Sequence, residues 1–262
     1  MAIDAVVLAG GPADAVAALE PGAPNKAFVK IAGVPLVERT IAGLRASSRI
    51  DRIVAVAPAS AAAHSALATA SEVRGDGPRM IASLRAGLLG FTEDTPVLVA
   101  AADLPVLDAR AVDEFVDAAL ARGLDVAYAC LERRYHDAEF PQFPHTWARM
   151  RDGQYCGGGL VVLRPRVVPR LATLLDRLGS ARKSPLRLAS LFGLDVALRF
   201  VLGRLSIEEA ETRASRMLGG ARVGAVRCTH PQIALNVDRV ADVALANRLC
   251  ASAANAQSAP VP

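Results

Sequence analysis

The chain has little lysine. Among its 30 basic residues only Lys26, Lys30 and Lys183 are lysines, and arginine fills the other cationic positions. Lysine is a compact point charge and arginine a planar fork, so a lysine kept in an arginine-rich chain hints at a geometric need. A solvated loop charge is the plainer reading. Cysteine is also sparse: Cys130, Cys156, Cys228 and Cys250 form no Cys-x-x-Cys pair and no zinc spacing. That points to incidental cysteines in a reduced, cytoplasmic enzyme. Aromatics make up 4% of the residues and interleave with no basic run, which disfavours a nucleic-acid partner. No membrane span is expected, since the most apolar late stretch, 186–205, contains Arg187, Asp195, Arg199 and Arg204. The N-terminus lacks a basic region ahead of its apolar run, so no signal peptide is read. Gly-x-Gly-x-x-Gly and Gly-Lys-Ser/Thr are both missing, which excludes the dinucleotide fingerprint and the P-loop.

What is present describes an α/β protein. With 262 residues, 52% of them hydrophobic, the chain can bury a proper core. Buried strands are expected at Val6–Leu8, Ile53–Val56, Val97–Ala101 and Asp125–Cys130. Helices are expected after Pro35, near 60–70, over 79–90 and near 109–121. This alternation predicts a single three-layer, Rossmann-like domain, a mostly parallel sheet with helices on both faces. A further strand is expected at Leu160–Leu163, and several arginine-rich helices over 165–218 form a helical elaboration. Late strands are read at 225–227 and 233–235, and a closing helix from Val237 to Leu249. The domain is thus expected over 1–250: a nucleotide-binding half (1–130), an acceptor-side and helical part (131–224) and a closing segment (225–250). A flexible tail is expected over 251–262.

The strand at Val6–Leu8 runs into Gly10 and Gly11, and Lys26 follows fifteen residues after the second glycine. Glycines let the backbone turn off a strand end. Bare peptide N–H groups followed by an ammonium can hold a polyphosphate. The candidate nucleotide-binding residues are therefore Leu8, Ala9, Gly10, Gly11, Lys26 and Lys30.

Taken together, several segments resemble the GT-A-like nucleotidyltransferases. These include the molybdenum-cofactor nucleotidyltransferases, the methylerythritol-phosphate cytidylyltransferases and the sugar-phosphate nucleotidyltransferases. The segments are Leu8-Ala9-Gly10-Gly11, Asn25-Lys26-Ala27-Phe28, Gly33-Val34-Pro35-Leu36, Ser83-Leu84-Arg85-Ala86-Gly87-Leu88, Asp103-Leu104-Pro105 and Asn236-Val237-Asp238 with Ala241-Asp242. The resemblance implies a GT-A-type fold and Mg²⁺-dependent transfer of a nucleotidyl group from an NTP to a phosphorylated small molecule, with pyrophosphate released. It implies Lys26 as the catalytic cation and Asp103 as a metal ligand. Asp238, or the amide oxygen of Asn236, would be a second ligand. Each aspartate has a plainer reading as a helix N-cap, and Asp108 could serve instead of Asp103. Ser83 would touch base or ribose, or be an ordinary helix serine.

There are departures from the family pattern. The loop Pro12–Glu20 holds no basic residue, where the family commonly carries an arginine, and Lys30 replaces a usual proline. Two alternatives therefore stay open: a non-catalytic nucleotide-binding relative, and a GT-A glycosyltransferase using a nucleotide-sugar. Six of the eleven aromatics lie within 128–155. That segment, with Gly157–Gly159, is a candidate acceptor lip, with His145, Trp147, Gly158 and Gly159 as binding residues. A small satellite core or a homodimer arm explains it equally, and a bulged turn would explain the glycines.

Overall fold

The computed structural model describes residues 1–181 and 192–257. Strands β1 (Ile3–Leu8), β4 (Ile50–Ala57), β5 (Glu72–Gly75), β6 (Val97–Ala101), β7 (Val126–Glu132), β9 (Gly153–Leu163) and β10 (Val223–Cys228) form one sheet in the order β10-β7-β9-β6-β1-β4-β5. Short β8 (Ala148–Met150) pairs with β9. The β1–β4, β1–β6, β4–β5 and β10–β7 pairs are parallel, and β9 runs antiparallel between β6 and β7.

Strand β1 shows why both faces are covered. Ile3, Ala5 and Val7 enter one apolar cluster and Val6 the other, as side-chain alternation along a strand requires. On the first face lie α1 (Leu36–Ala46) and α3 (Ala109–Ala121), through Val37, Ile41, Leu44, Val112, Phe115 and Val116. On the second lie α2 (Met80–Gly87) and α5 (Val168–Ala181), through Ile81, Leu84, Val168 and Ala172. A third cluster joins α8 (Val240–Gln257) to a hairpin of β2 (Lys30–Ile31) and β3 (Val34–Pro35) through Ile31, Leu36, Val237 and Ala246. That hairpin turns at Ala32 and Gly33, both at positive φ (47° and 80°), as its two-residue turn requires. Asn247 Oδ1 accepts the Ala32 N–H at 2.6 Å and holds the strained turn.

Several local expectations are corrected. Residues 60–70 form two 3₁₀ turns, Ala59–Ala61 and Ser65–Leu67, because a run of small residues offers too little apolar surface for a packed helix. Residues 233–235 are not a strand; Pro231–Ala234 is a 3₁₀ turn opened by proline. Gly157–Gly159 lie inside β9, not ahead of it, where the β7–β9 register shifts. The aromatic segment contains α4 (Arg133–Glu139) and β8. The later elaboration includes α6 (Leu194–Val201) and α7 (Ile207–Met217). Its stretch at 182–191, with Lys183, lies outside the described residues. Helix α8 continues to Gln257, past the expected start of the tail, and 258–262 lie outside the described residues.

Candidate functional site

The parallel strands deliver their carboxyl ends to one edge of the sheet, where open α/β proteins bind ligands. Gly10 and Gly11 leave β1 there, Asp76 follows β5, and Asp103 follows β6. A cleft of about 1000 Å³ opens along this edge, walled in part by Gly10, Gly11, Arg79, Gly158, Asp238 and Arg239.

The glycine loop is held from two sides. Asn25 Nδ2 donates to Ala9 O at 2.9 Å and to Gly11 O at 3.2 Å, while Asn25 Oδ1 accepts from Ala27 N at 2.9 Å. Buried Asn25 thereby ties the loop to the turn that carries Lys26. On the other side Asp76 Oδ2 accepts the Gly11 N–H at 3.0 Å. A Cβ at Gly10 would lie 2.5 Å from Asp76 Cβ, so only glycine fits. Leu8, Gly10 and Gly11 line the cleft, whereas Ala9 is buried in the core.

Lys26 reaches two carboxylates. Its Nζ lies 2.5 Å from Asp103 Oδ2 and 2.6 Å from Asp238 Oδ1. Asn236 Nδ2 donates to Asp103 Oδ1 at 2.8 Å, and Val237 N to Asp103 O at 3.1 Å. Asp103 is buried and Asp238 is exposed. Burial works against the charge on Lys26, but Asp103 and then Asp238 outweigh it and hold its pKa above the ordinary lysine value. The hydroxyl of Thr40 meets the Leu104 backbone at both N (3.3 Å) and O (3.4 Å), which steadies the segment after β6. Buried Asp242 accepts from Asp238 N at 3.1 Å and Arg239 N at 2.9 Å and pins the loop that presents Asp238. Asp108 caps α3 by accepting from Ala111 N, which leaves Asp103 no capping work there.

Other expected residues are placed differently. Lys30 pairs with Glu20 at 2.9 Å; neither it nor Lys26 nor Asp103 is among the residues that wall the cleft, which the Lys26 cluster meets through Asp238. Ser83, by contrast, lines the cleft as expected of a binding residue, and its hydroxyl accepts the Gly77 N–H at 3.1 Å. Asn236 turns its amide nitrogen, not its oxygen, to Asp103. His145, Gly158 and Gly159 line the cleft, but Trp147 does not. Trp147 packs edge-to-face with His136 (centroids 5.2 Å apart) and His145 (5.5 Å), with the Arg133 guanidinium 5.8 Å from its ring. Burial, then nearby His136, depress the His145 pKa to about 4. The glycines of β9 lie close against neighbouring side chains. A Cβ at Gly157 would collide with Tyr128 Oη, and one at Gly159 would sit 2.8 Å from Leu104 Cδ2.

Three residues were not among the sequence candidates: Arg79 and Arg239, which line the cleft, and Asp76, which holds the glycine loop through Gly11 N. For Asp76 the available signal is an acid flanked by glycines just after a strand, in Gly75-Asp76-Gly77-Pro78. All four cysteines are buried and free, and burial pushes the Cys130 thiol up to about 11 and the Cys156 thiol to about 12. Neither is an activated nucleophile. Among the described residues no three His, Cys, Asp or Glu side chains cluster as a metal cage.

A comparison with curated proteins finds no match. Among solved structures, a hypothetical transferase from Thermus thermophilus is 32% identical, with TM-score 0.81, over 93% of this chain and 100% of that one. A 4-diphosphocytidyl-2C-methyl-D-erythritol synthase from Anaerococcus prevotii is 12% identical, with TM-score 0.55, over 95% and 98% of the two chains. A CMP:2-keto-3-deoxy-manno-octonic acid synthetase complexed with CTP is 15% identical, with TM-score 0.59, over 97% and 100%. At such identities these last two share the fold alone. The model of the MobA-like NTP transferase domain matches residues 5–189, so the chain belongs to that family and is a nucleotidyltransferase.

Proposed function

We propose that the protein moves a nucleotidyl group from an NTP to a phosphorylated small molecule, with Mg²⁺ bound and pyrophosphate leaving. The observation that carries this reading is the meeting of Lys26, Asp103 and Asp238 beside the glycine loop. In such a transfer an acceptor phosphate oxygen attacks the α-phosphorus in line with the departing pyrophosphate. The protein positions the two partners and neutralises charge. Lys26 suits the second task, because its neighbours keep it cationic.

Asp103 and Asp238 would hold the Mg²⁺. Their fit is seen in the cation they already share: two carboxylate oxygens converge on one ammonium. Mg²⁺ takes one or two carboxylates and completes its shell with water and phosphate oxygens, so no larger protein cage is required. When bound, it would offset charge on the phosphates. Arg79 and Arg239, both on the cleft wall, are the cations that would stand in for the arginine missing from loop 12–20. His145, Gly158 and Gly159, on the β9 side of the cleft, would face the acceptor.

That same loop favours a second reading, a nucleotide binder without catalysis, since its only charged residues are Asp14 and Glu20. A pyrophosphate-release assay separates the two. Each NTP is incubated with Mg²⁺ and a panel of phosphorylated acceptors, with CTP tested first because two fold neighbours are named for cytidine chemistry. Acceptor-dependent release that stops with chelator supports transfer. Nucleotide binding without release under every combination supports the binder.

A further inference from the structure

Both oxygens of Asp103 are taken, but not by equal partners. Oδ1 accepts from Asn236 Nδ2 at 2.8 Å, and Oδ2 lies 2.5 Å from Lys26 Nζ. The Asp103 side chain is only 8% exposed, so its second oxygen is reached where the ammonium stands. The same ammonium lies 2.6 Å from Asp238 Oδ1. Two carboxylates and one ammonium leave a single net negative charge. A divalent cation taking those two oxygens would stand beside the ammonium, like charge on like charge, next to a buried carboxylate where screening is weak. Ammonium and metal therefore compete for the pair.

Of the groups at this centre, Lys26 is the one built to leave. Its turn is fixed: Ala27 and Phe28 are buried, and Asn25 ties the turn to Ala9 and Gly11 of the glycine loop. The ammonium itself sits on a flexible four-carbon stem and moves without the backbone. We infer that Lys26 is a built-in competitor of the divalent cation: in the free protein it holds Asp103 and Asp238, and the metal gains them only as Lys26 lets go. The inference rests on the reading of the two aspartates as Mg²⁺ ligands. By reciprocity, an anion that engages Lys26 from the glycine loop, such as the phosphates of an NTP, and the metal strengthen each other's binding.

The test measures Mn²⁺ binding to the nucleotide-free full chain by loss of the free-ion electron paramagnetic resonance signal, at fixed pH and ionic strength. Lys26→Met should bind Mn²⁺ about tenfold more tightly than the wild type, or better, within the usual span of coupling between sites. Lys26→Arg keeps the charge and should gain nothing. Adding Asp103→Asn to Lys26→Met should erase the gain. Melting curves give a second readout. Without metal, Lys26→Met should melt below the wild type, because Asp103 is left buried without its cation. Mg²⁺ should raise that melting temperature toward the wild-type value and leave the wild type nearly unmoved. If Lys26→Met does not fold without metal, Lys26→Gln, whose amide still donates to a carboxylate, replaces it. Equal Mn²⁺ affinity in wild type and Lys26→Met would overturn the inference and leave the metal reading standing, as would a gain that survives Asp103→Asn. No Mn²⁺ binding by any variant would remove the metal reading itself, and the inference with it.

Discussion

Two residues of the same type do different work. Lys26 lies between Asp103 and Asp238, whereas Lys30 pairs with Glu20. Lys26→Ala is therefore expected to lower turnover by about 10²-fold, the usual cost of losing a preorganised charge, near 3 kcal/mol. Its melting temperature should fall as well, because Asp103 is left buried without its cation. Lys30→Ala should change neither by much, and steady-state rates beside melting curves check both. His145 makes a second case. Its pKa is depressed from 6.5 to about 4, so below pH 6.5 the unfolded chain takes up a proton that the folded one refuses. Stability is then lost as the pH falls from 6.5 toward 4. His145→Gln should flatten the dependence of melting temperature on pH across that window. An unchanged slope would place the acid sensitivity elsewhere. At this scale much of the candidate site was legible, because Gly10, Gly11, Lys26 and Asp103 all follow strands or lie in contiguous motifs. Asp76 was not, since its partner is a backbone N–H 65 residues away. Trp147 looked like a cleft wall because composition cannot tell a ring packed edge-to-face with His136 and His145 from one facing a ligand.

The elements depend on close approaches that only glycine allows. Gly87 ends α2 against the sheet, and a Cβ there would sit 2.5 Å from Val6 Cγ1 and 2.9 Å from Val56 Cγ2. Gly87→Ala should push α2 off β1 and β4 and cost about 1–3 kcal/mol, the usual range for overpacking. Chemical denaturation would show it as a lower midpoint with an unchanged slope. Helix propensity alone predicts the opposite sign, since alanine favours helix over glycine by about 1 kcal/mol. Strands β1, β4, β6 and β7 and helices α1, α2 and α3 were legible because each is a continuous apolar run or a clean helical stripe. Elements of small residues were not: alanine fits a helix or a turn equally, and packing assigned 59–67 to turns. The course of β9 through Gly157–Gly159 was hidden for a related reason. Those glycines accommodate Tyr128, Ala129 and Leu104 from neighbouring segments, and a single sequence does not show which neighbours they meet.

At the scale of the molecule, the chain's two ends close on one site. Residues 236–242 are drawn to the β1 edge by the cluster of Val237, Ala246 and Cys250 with Val16, Val29, Ile31 and Leu36. Asp238 thereby reaches a lysine 212 positions earlier. Alternation of strands and helices made the three-layer fold legible, but only the folded chain shows how the β2–β3 hairpin and α8 set that closure. The central claim is that Asp103, Lys26 and Asp238 form the centre of a Mg²⁺-dependent nucleotidyl transfer. The most direct measurement is Mg²⁺-dependent pyrophosphate release by Asp103→Asn beside the wild type, with melting curves on both. Asparagine keeps the shape and an oxygen for Asn236 but removes the charge. The expected result is loss of release by about 10²-fold or more, a size typical for removing one preorganised electrostatic group, with melting close to wild type. Full Mg²⁺-dependent release by a folded Asp103→Asn variant would contradict it.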